Sequence, residues 1–440
     1  MRGPLVPAAL ARAFLAGEQS VGQIVDRATR MLGRPWRWLG PLARRYLEAH
    51  KNQTVPRHRD VVRFLLRDEG FRGARTKYKR ELRVEDWLTE APSMRPAAIA
   101  GAWEIPAIES TDALAKWLGL QITELEWFAD LKALAYKTTD RPKLAHYHYR
   151  VLAKRSGSIR LIESPKIRLK ELQRQILSRI LNRIPTHEAV HGFVKGRSIK
   201  TFTAPHAGQR VVLRMDLEDF FPSLSGARVQ ALFRTAGYPE PVADLLGGIC
   251  TNATPRKVWD GLDVDVNRLW ETRTLYARPH LPQGAPGSPA LANLCAYRTD
   301  CRLAGLARAA GAVYTRYADD LAFSGSEEFE RCVERFSIHV AVILEEEGFR
   351  VNHRKTRIMR RGVRQHLAGL VVNEHVNVRR TDYEALKALL TNCVRLGPES
   401  QNRDKHPSFK SRLEGKVAFV ESINLAKGRT LRAILERIAW

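Results

Sequence analysis

The sequence predicts an α+β chain of more than one domain, and three observations carry that reading. Its 440 residues are enough to bury more than one core. Through the middle, segments with strand-like alternation interleave with segments of helical period, which excludes an all-α fold. A change of composition near residue 105 sets an Arg- and Trp-rich front block apart from the rest.

The front block, 1 to 105, reads as several short helices with basic faces. Val62, Phe64, Leu65 and Leu66 recur at helical spacing between arginines. Residues 91–108, with Pro, Ser and Gly, read as a linker. "TDALAKWLGL" starts a helix at an N-cap, Thr111 or Asp112. "HYHYRVLAKRSGSIRLIESP" alternates about Ser156-Gly157, a hairpin signal. The segment 166–184 is amphipathic, with Leu169, Leu172, Ile176, Ile180 and Ile184 on one face. "RVVLRMDLEDFFPSL" is an apolar strand with an acidic end and a helix start behind it. Residues 287–311 read as one long helix ended by Gly311. "AVYTRYADDLAFSG" reads as two strands joined at Ala318-Asp319-Asp320. Further short strands follow near 350–373, and the remainder is helical and basic.

Charge narrows the function. Lys+Arg number 73 against 47 Asp+Glu, a net charge of +26, which predicts a polyanionic partner. No apolar run is long enough to span a bilayer and no signal peptide opens the chain, so no membrane partner is expected. Five cysteines without a CxxC pair argue against a disulfide framework, and a cytoplasmic location fits.

Asp216 ends one buried-type run, and Asp319 and Asp320 sit at the tip of a hairpin about a hundred residues later. If those strands are neighbours, three carboxylates converge. Like charges there repel and resist desolvation unless divalent cations lie between them. Hard oxygen ligands suit Mg²⁺. Two such ions, roughly 3.5–4 Å apart, serve in-line phosphoryl transfer.

At these residues the chain resembles a known family. "YADD" between apolar strands is similar to the signature of reverse transcriptases. "MDLEDFFPSL" resembles their first aspartate motif, "LPQGAPGSPALANL" the Gln-Gly motif, and "GFRVNHRKTRI" the lysine-bearing motif. "GSIRLIESPKIRLKELQRQIL" and "HGFVKGRSI" resemble stretches of bacterial retron and group II intron enzymes. The likeness covers roughly 109–440 and leans towards retrons. In the stretch where retron enzymes have Val-Thr-Gly, this chain has Leu367-Ala368-Gly369, and of an Asn-Ala-x-x-His stretch only His206 matches.

The resemblance implies a right-hand polymerase behind a helical basic extension at 1–105. Its fingers would be 109–210, the palm 211–373 and the helical thumb 374–440. It implies RNA-directed DNA synthesis with two Mg²⁺ ions, copying a structured cognate non-coding RNA into DNA from dNTPs. An antiviral defence role and an accessory effector protein go with the retron type. The alternatives are a defence polymerase that extends DNA without a template and a group II intron-like enzyme. Asp216 and Asp319 would ligate both ions, with Asp320 as a third carboxylate and the Leu217 carbonyl as a further ligand. Phe221 would be the gate against a ribose 2′-OH. Lys154 and Arg160 would hold the triphosphate. Gln283 and Gly284 would border the nascent base pair, and Lys355 would neutralise or protonate the leaving pyrophosphate.

Other signals weigh less. "HEAVH" (187–191) matches H-E-x-x-H, but Pro185 and Gly192 leave room only for a turn. Trp36, Trp38 and Trp87 read as core before base-stacking groups.

Overall fold

The computed structural model describes residues 5–51, 55–87, 92–134, 145–153, 159–260 and 266–440. The chain divides into two compact units, Met1–Pro185 with Phe221–Cys295, and Thr186–Phe220 with Ala296–Trp440.

The first unit opens with five helices: α1 (Leu5–Leu15), α2 (Val21–Leu32), α3 (Leu39–Ala49), α4 (His58–Arg67) and α5 (Glu69–Lys77). They enclose a core of their own around Phe14, Ile24, Leu42, Tyr46, Leu65 and Phe71. Trp36 is buried in that core, Trp38 packs against it, and Trp87 is exposed. The expected linker is tied down rather than loose. Arg95 N donates to the Gly237 carbonyl at 2.8 Å, and its Nη2 donates to the Leu15 and Gly17 carbonyls at the end of α1. The helix Thr111–Leu118 starts one residue before the expected caps: Ser110 Oγ accepts from Ala113 N at 3.0 Å.

Strands β1 (Tyr147–Ala153) and β2 (Ile159–Pro165) form the antiparallel hairpin, with Tyr147 opposite Pro165. Its turn, Ser156-Gly157 included, lies outside the described residues. The amphipathic segment is the helix Ile167–Arg179 and a short 3₁₀ turn; Leu169, Leu172, Ile176, Ile180 and Ile184 are all buried, and Ile167 is exposed. The expected long helix is two, Ser288–Cys295 and Tyr297–Ala309, interrupted at Ala296. Helical spacing alone cannot show such an offset, because both halves keep the same period.

The second unit is built on a five-stranded antiparallel sheet. Its strands are β3 (Val211–Glu218), β4 (Ala312–Tyr317), β5 (Asp320–Gly325), β6 (Arg350–Val351) and β7 (Arg357–Arg360). The order is β4-β5-β3-β6, with β7 also pairing β3. Helix Glu327–Glu346 packs Phe329, Val333, Phe336, Val340 and Leu344 inward. A small sheet follows, from β8 (His366–Leu367), β9 (Leu370–Val371) and β10 (Asn377–Val378). Helices Arg380–Leu396, Phe409–Ile423 and Leu425–Leu435 then close around Leu390, Leu413, Val417 and Leu431.

Candidate active site

β3 and β5 are direct neighbours, so the aspartates do converge. Their register places Asp216 opposite Asp320, the first residue of β5. The Asp216 carbonyl accepts from Asn352 N at 2.7 Å on the β6 side. Asp216 and Asp320 therefore form a non-hydrogen-bonded pair, the closer kind, with Cβ atoms about 4.5–5.5 Å apart. Asp319 sits in the turn, and its carbonyl accepts from Leu217 N at 3.0 Å. Because amide and carbonyl of an extended residue share one edge, the Leu217 carbonyl lies on the turn side too.

Two of the three carboxylates carry a cation from the chain itself. Lys355 Nζ, on the turn after β6, donates to Asp216 Oδ1 at 2.8 Å and Oδ2 at 3.0 Å. Arg214 lies on the same face of β3 as Asp216, and its Nε and Nη2 donate to Asp320 Oδ1 at 2.9 and 2.7 Å. Asp319 has no ion pair among the described residues. Burial pushes its carboxyl above the ordinary range, and the charges of Asp216 and Asp320 add to the rise. Burial raises Asp320 as well, with Arg214 opposing it.

Among the described residues, no three His, Cys, Asp or Glu side chains form a ready-made cation cage. The donor chemistry nevertheless fits Mg²⁺: carboxylate oxygens and a backbone carbonyl gathered at one strand end. Asp216 is buried, whereas the Lys355 side chain is 57% exposed. Lys355 thus places an ammonium from the solvent-facing side on a buried carboxylate.

The turn is braced from behind by residues that sequence reasoning missed. Arg316 Nε and Nη2 each donate to Asp300 at 2.7 Å, and Nη1 donates to the Ala318 carbonyl at 3.1 Å. The two side chains are 1% and 0% exposed, and Tyr314 Oη donates to the same Asp300 at 2.8 Å. The guanidinium also lies 5.7 Å from the Phe220 ring centroid. Ala318 itself is left-handed, with φ of 55°, a conformation that a side chain resists. Gly192 explains part of that fit, since a Cβ there would stand 2.6 Å from Ala318 N.

The other candidates fall as follows. Phe221 is half-buried, two residues past Asp219, whose φ of 44° turns the chain after β3. Gln283 and Gly284 form a tight turn beside β2, where Glu163 N donates to the Gln283 carbonyl at 2.8 Å. Gly284 has φ of 128°, and a Cβ there would come within 3.0 Å of the Glu163 carbonyl, so this position requires glycine. Behind that turn Glu163 is buried, its carboxylate held by Asn252, Thr254 and His280. Arg160 is exposed on β2. Lys154 lies outside the described residues. The H-E-x-x-H stretch is a turn, and its imidazoles are engaged locally: His187 Nδ1 accepts from Ala189 N at 3.1 Å, and His191 Nδ1 meets Thr201 Oγ1 at 2.9 Å.

Comparison with known proteins agrees with this geometry. Residues 152–401 match the family described as reverse transcriptase (RNA-dependent DNA polymerase). The chain is 42% identical over 289 residues to the Retron Mx65 reverse transcriptase of Myxococcus xanthus, covering 64% of this chain and 63% of that one. It is 38% identical over 373 residues to the Retron Mx162 reverse transcriptase of the same organism, covering 81% and 72%. The Retron Ec86 reverse transcriptase of Escherichia coli is 33% identical over 231 residues, covering 52% and 64%. The chain thus spans from 63% to 72% of the length of these relatives. The matched segment contains Asp216, Asp319, Asp320 and Lys355. The chain belongs to the reverse transcriptase family, in its bacterial retron type.

Proposed function

We propose that this chain is an RNA-directed DNA polymerase that copies a structured cognate RNA into DNA by nucleotidyl transfer from dNTPs. The observation that carries the reading is the carboxylate group at the β3–β5 end, with Asp216 opposite Asp320 and Asp319 in the turn, in a chain of this family. In this reading 211–373 is the palm, 109–210 the fingers and 374–440 the thumb, behind the extension 1–105. The core that the last three helices form supports the last division, although Leu370 and Ile199 also pack into it.

Two Mg²⁺ ions, when bound, supply Lewis acidity to the attacking 3′-OH and to the departing pyrophosphate. Asp216, Asp319 and the Leu217 carbonyl would hold them. Asp320 stays on Arg214 and sets the local potential instead of serving as a primary ligand. Lys355, once off Asp216, is a cation for the leaving group. Arg160 and Lys154 bind the triphosphate. Phe221 rejects the ribose 2′-OH, and the Gln283-Gly284 turn borders the base pair. The Arg316–Asp300 brace keeps the Asp319 carbonyl and carboxylate in place. A defence role and an accessory effector rest on likeness to retron enzymes alone, and a cytoplasmic location on the cysteine pattern.

The test is primer extension by the purified chain with Mg²⁺ and dNTPs on a primed RNA, beside reactions without template, with product sequencing. DNA complementary to the RNA is expected. Extension of the same sequence without template would overturn the templated reading.

A further inference from the structure

We infer that the outer face of α4 and α5 is an RNA-binding ridge, separate from the carboxylate site and lying before residue 152, where the family match begins. The inference rests on the polymerase reading for its choice of polyanion.

α4 buries Val61 and Leu65, and α5 buries Phe71 and Ala74, so each helix turns one face to the extension's core. The opposite face is cationic. Arg67, Arg72 and Arg75 on these helices, and Lys79 and Arg80 in the turn just after α5, are all exposed, and none has an ion-pair partner among the described residues. Of the acids nearby, Asp60 and Asp68 are already used, while Glu69 is exposed at the start of α5. Asp60 pairs with Arg63 at 3.2 Å. Asp68 caps α5 through Phe71 N and takes a two-pronged pair from Arg45 on α3. That pair also fixes α3 to α5, so the ridge stands on a rigid base.

Residues 67–80 hold six Lys and Arg against Asp68 and Glu69, so the exposed cations repel one another and the excess is only partly offset by the chain. Neutralised phosphates offset them, with release of counterions. Two observations select a nucleic-acid backbone over a protein or a membrane. The face carries no exposed large apolar residue, whereas protein hot spots and membrane-seated helices need apolar anchors. Three of the five cations are arginines already in helical register or at its edge, and their planar forks suit phosphate. Gly73 also lies on this face with nothing within 4 Å of where its Cβ would stand, so a phosphate chain has close access.

The test compares the full chain with a variant carrying Arg67→Gln, Arg72→Gln, Arg75→Gln, Lys79→Gln and Arg80→Gln. The probe is a fluorescently labelled hairpin RNA, titrated by anisotropy from 50 to 300 mM KCl. Each lost phosphate contact lowers the slope of log K against log[salt] by about 0.7–0.9. The expected result is a slope shallower by about 3 or more, and affinity about tenfold weaker or worse at low salt. Extension rate at saturating primed template should stay within about twofold, and the melting temperature should not move. An unchanged slope with a folded variant would overturn the ridge. A changed slope in a chain that never extends a primer would leave the ridge standing and remove the polymerase reading.

Discussion

Replacing Arg316 by Met removes one half of a fully buried ion pair and should be among the most destabilising single changes in the second unit. Asp300 would keep only the Tyr314 hydroxyl, and its remaining charge would have no route to water. Breaking a buried pair from one side costs about 3–5 kcal/mol. The Ala318 carbonyl also loses its donor, an effect of about 1–3 kcal/mol that overlaps with the first. A net loss near 4 kcal/mol corresponds to a melting shift on the order of 10 °C in a unit of this size. The assay is urea denaturation of Arg316→Met, Asp300→Leu and the double variant. The pair argument predicts that the double variant recovers about 2 kcal/mol or more relative to the sum of the singles. Additive losses, or an Arg316→Met loss below about 1 kcal/mol, would refute the claim that this pair holds the turn.

Three further outcomes follow from other residues. His206 is buried between Ser324 Oγ and Thr315 Oγ1, and burial pushes its imidazole down to about 3. Above pH 6.5 both states are neutral, but below it the unfolded chain takes the proton and the folded chain does not. Stability therefore falls with falling pH, by about 2 kcal/mol at pH 5, and His206→Gln should flatten that part of a urea-stability profile. Lys355→Met removes the ammonium that occupies Asp216, so Mn²⁺ binding read by electron paramagnetic resonance should tighten several-fold while extension slows. Phe221→Ala should raise ribonucleotide incorporation by about tenfold or more, measured as the ratio of rNTP to dNTP kcat/KM; an unchanged ratio would remove Phe221 from that role.

What the sequence made legible was whatever local chemistry declares. The β4–β5 hairpin was readable because two runs rich in apolar residues flank the aspartates, although burial follows the run only in β5: in β4 Val313 is exposed while Thr315 and Arg316 are buried. The neighbouring of Asp216 and Asp320 was conditional until the β3–β5 register was seen, since one sequence does not state strand order. Arg316 and Arg214 escaped notice because an arginine in a strand reads as a solvated face. Only tertiary packing reveals that Arg316 is sealed against Asp300, on a helix sixteen residues earlier. Lys355 was assigned to the leaving group by resemblance, and its seat on Asp216 gives it a second relation to the site that no motif expresses. The break at Ala296 and the cap at Ser110 are single-residue matters that periodicity cannot resolve.

The central claim is that the strand-end carboxylates perform RNA-templated DNA synthesis. The most direct measurement is single-turnover incorporation of one dNTP on a primed RNA by the wild-type chain and by Asp319→Asn, with melting curves for both. Asp319 is the member with no ion pair among the described residues, so its replacement should leave the fold intact and slow the step by at least about a thousandfold, about 4 kcal/mol of barrier. A folded Asp319→Asn chain that incorporates within tenfold of wild type would contradict the account.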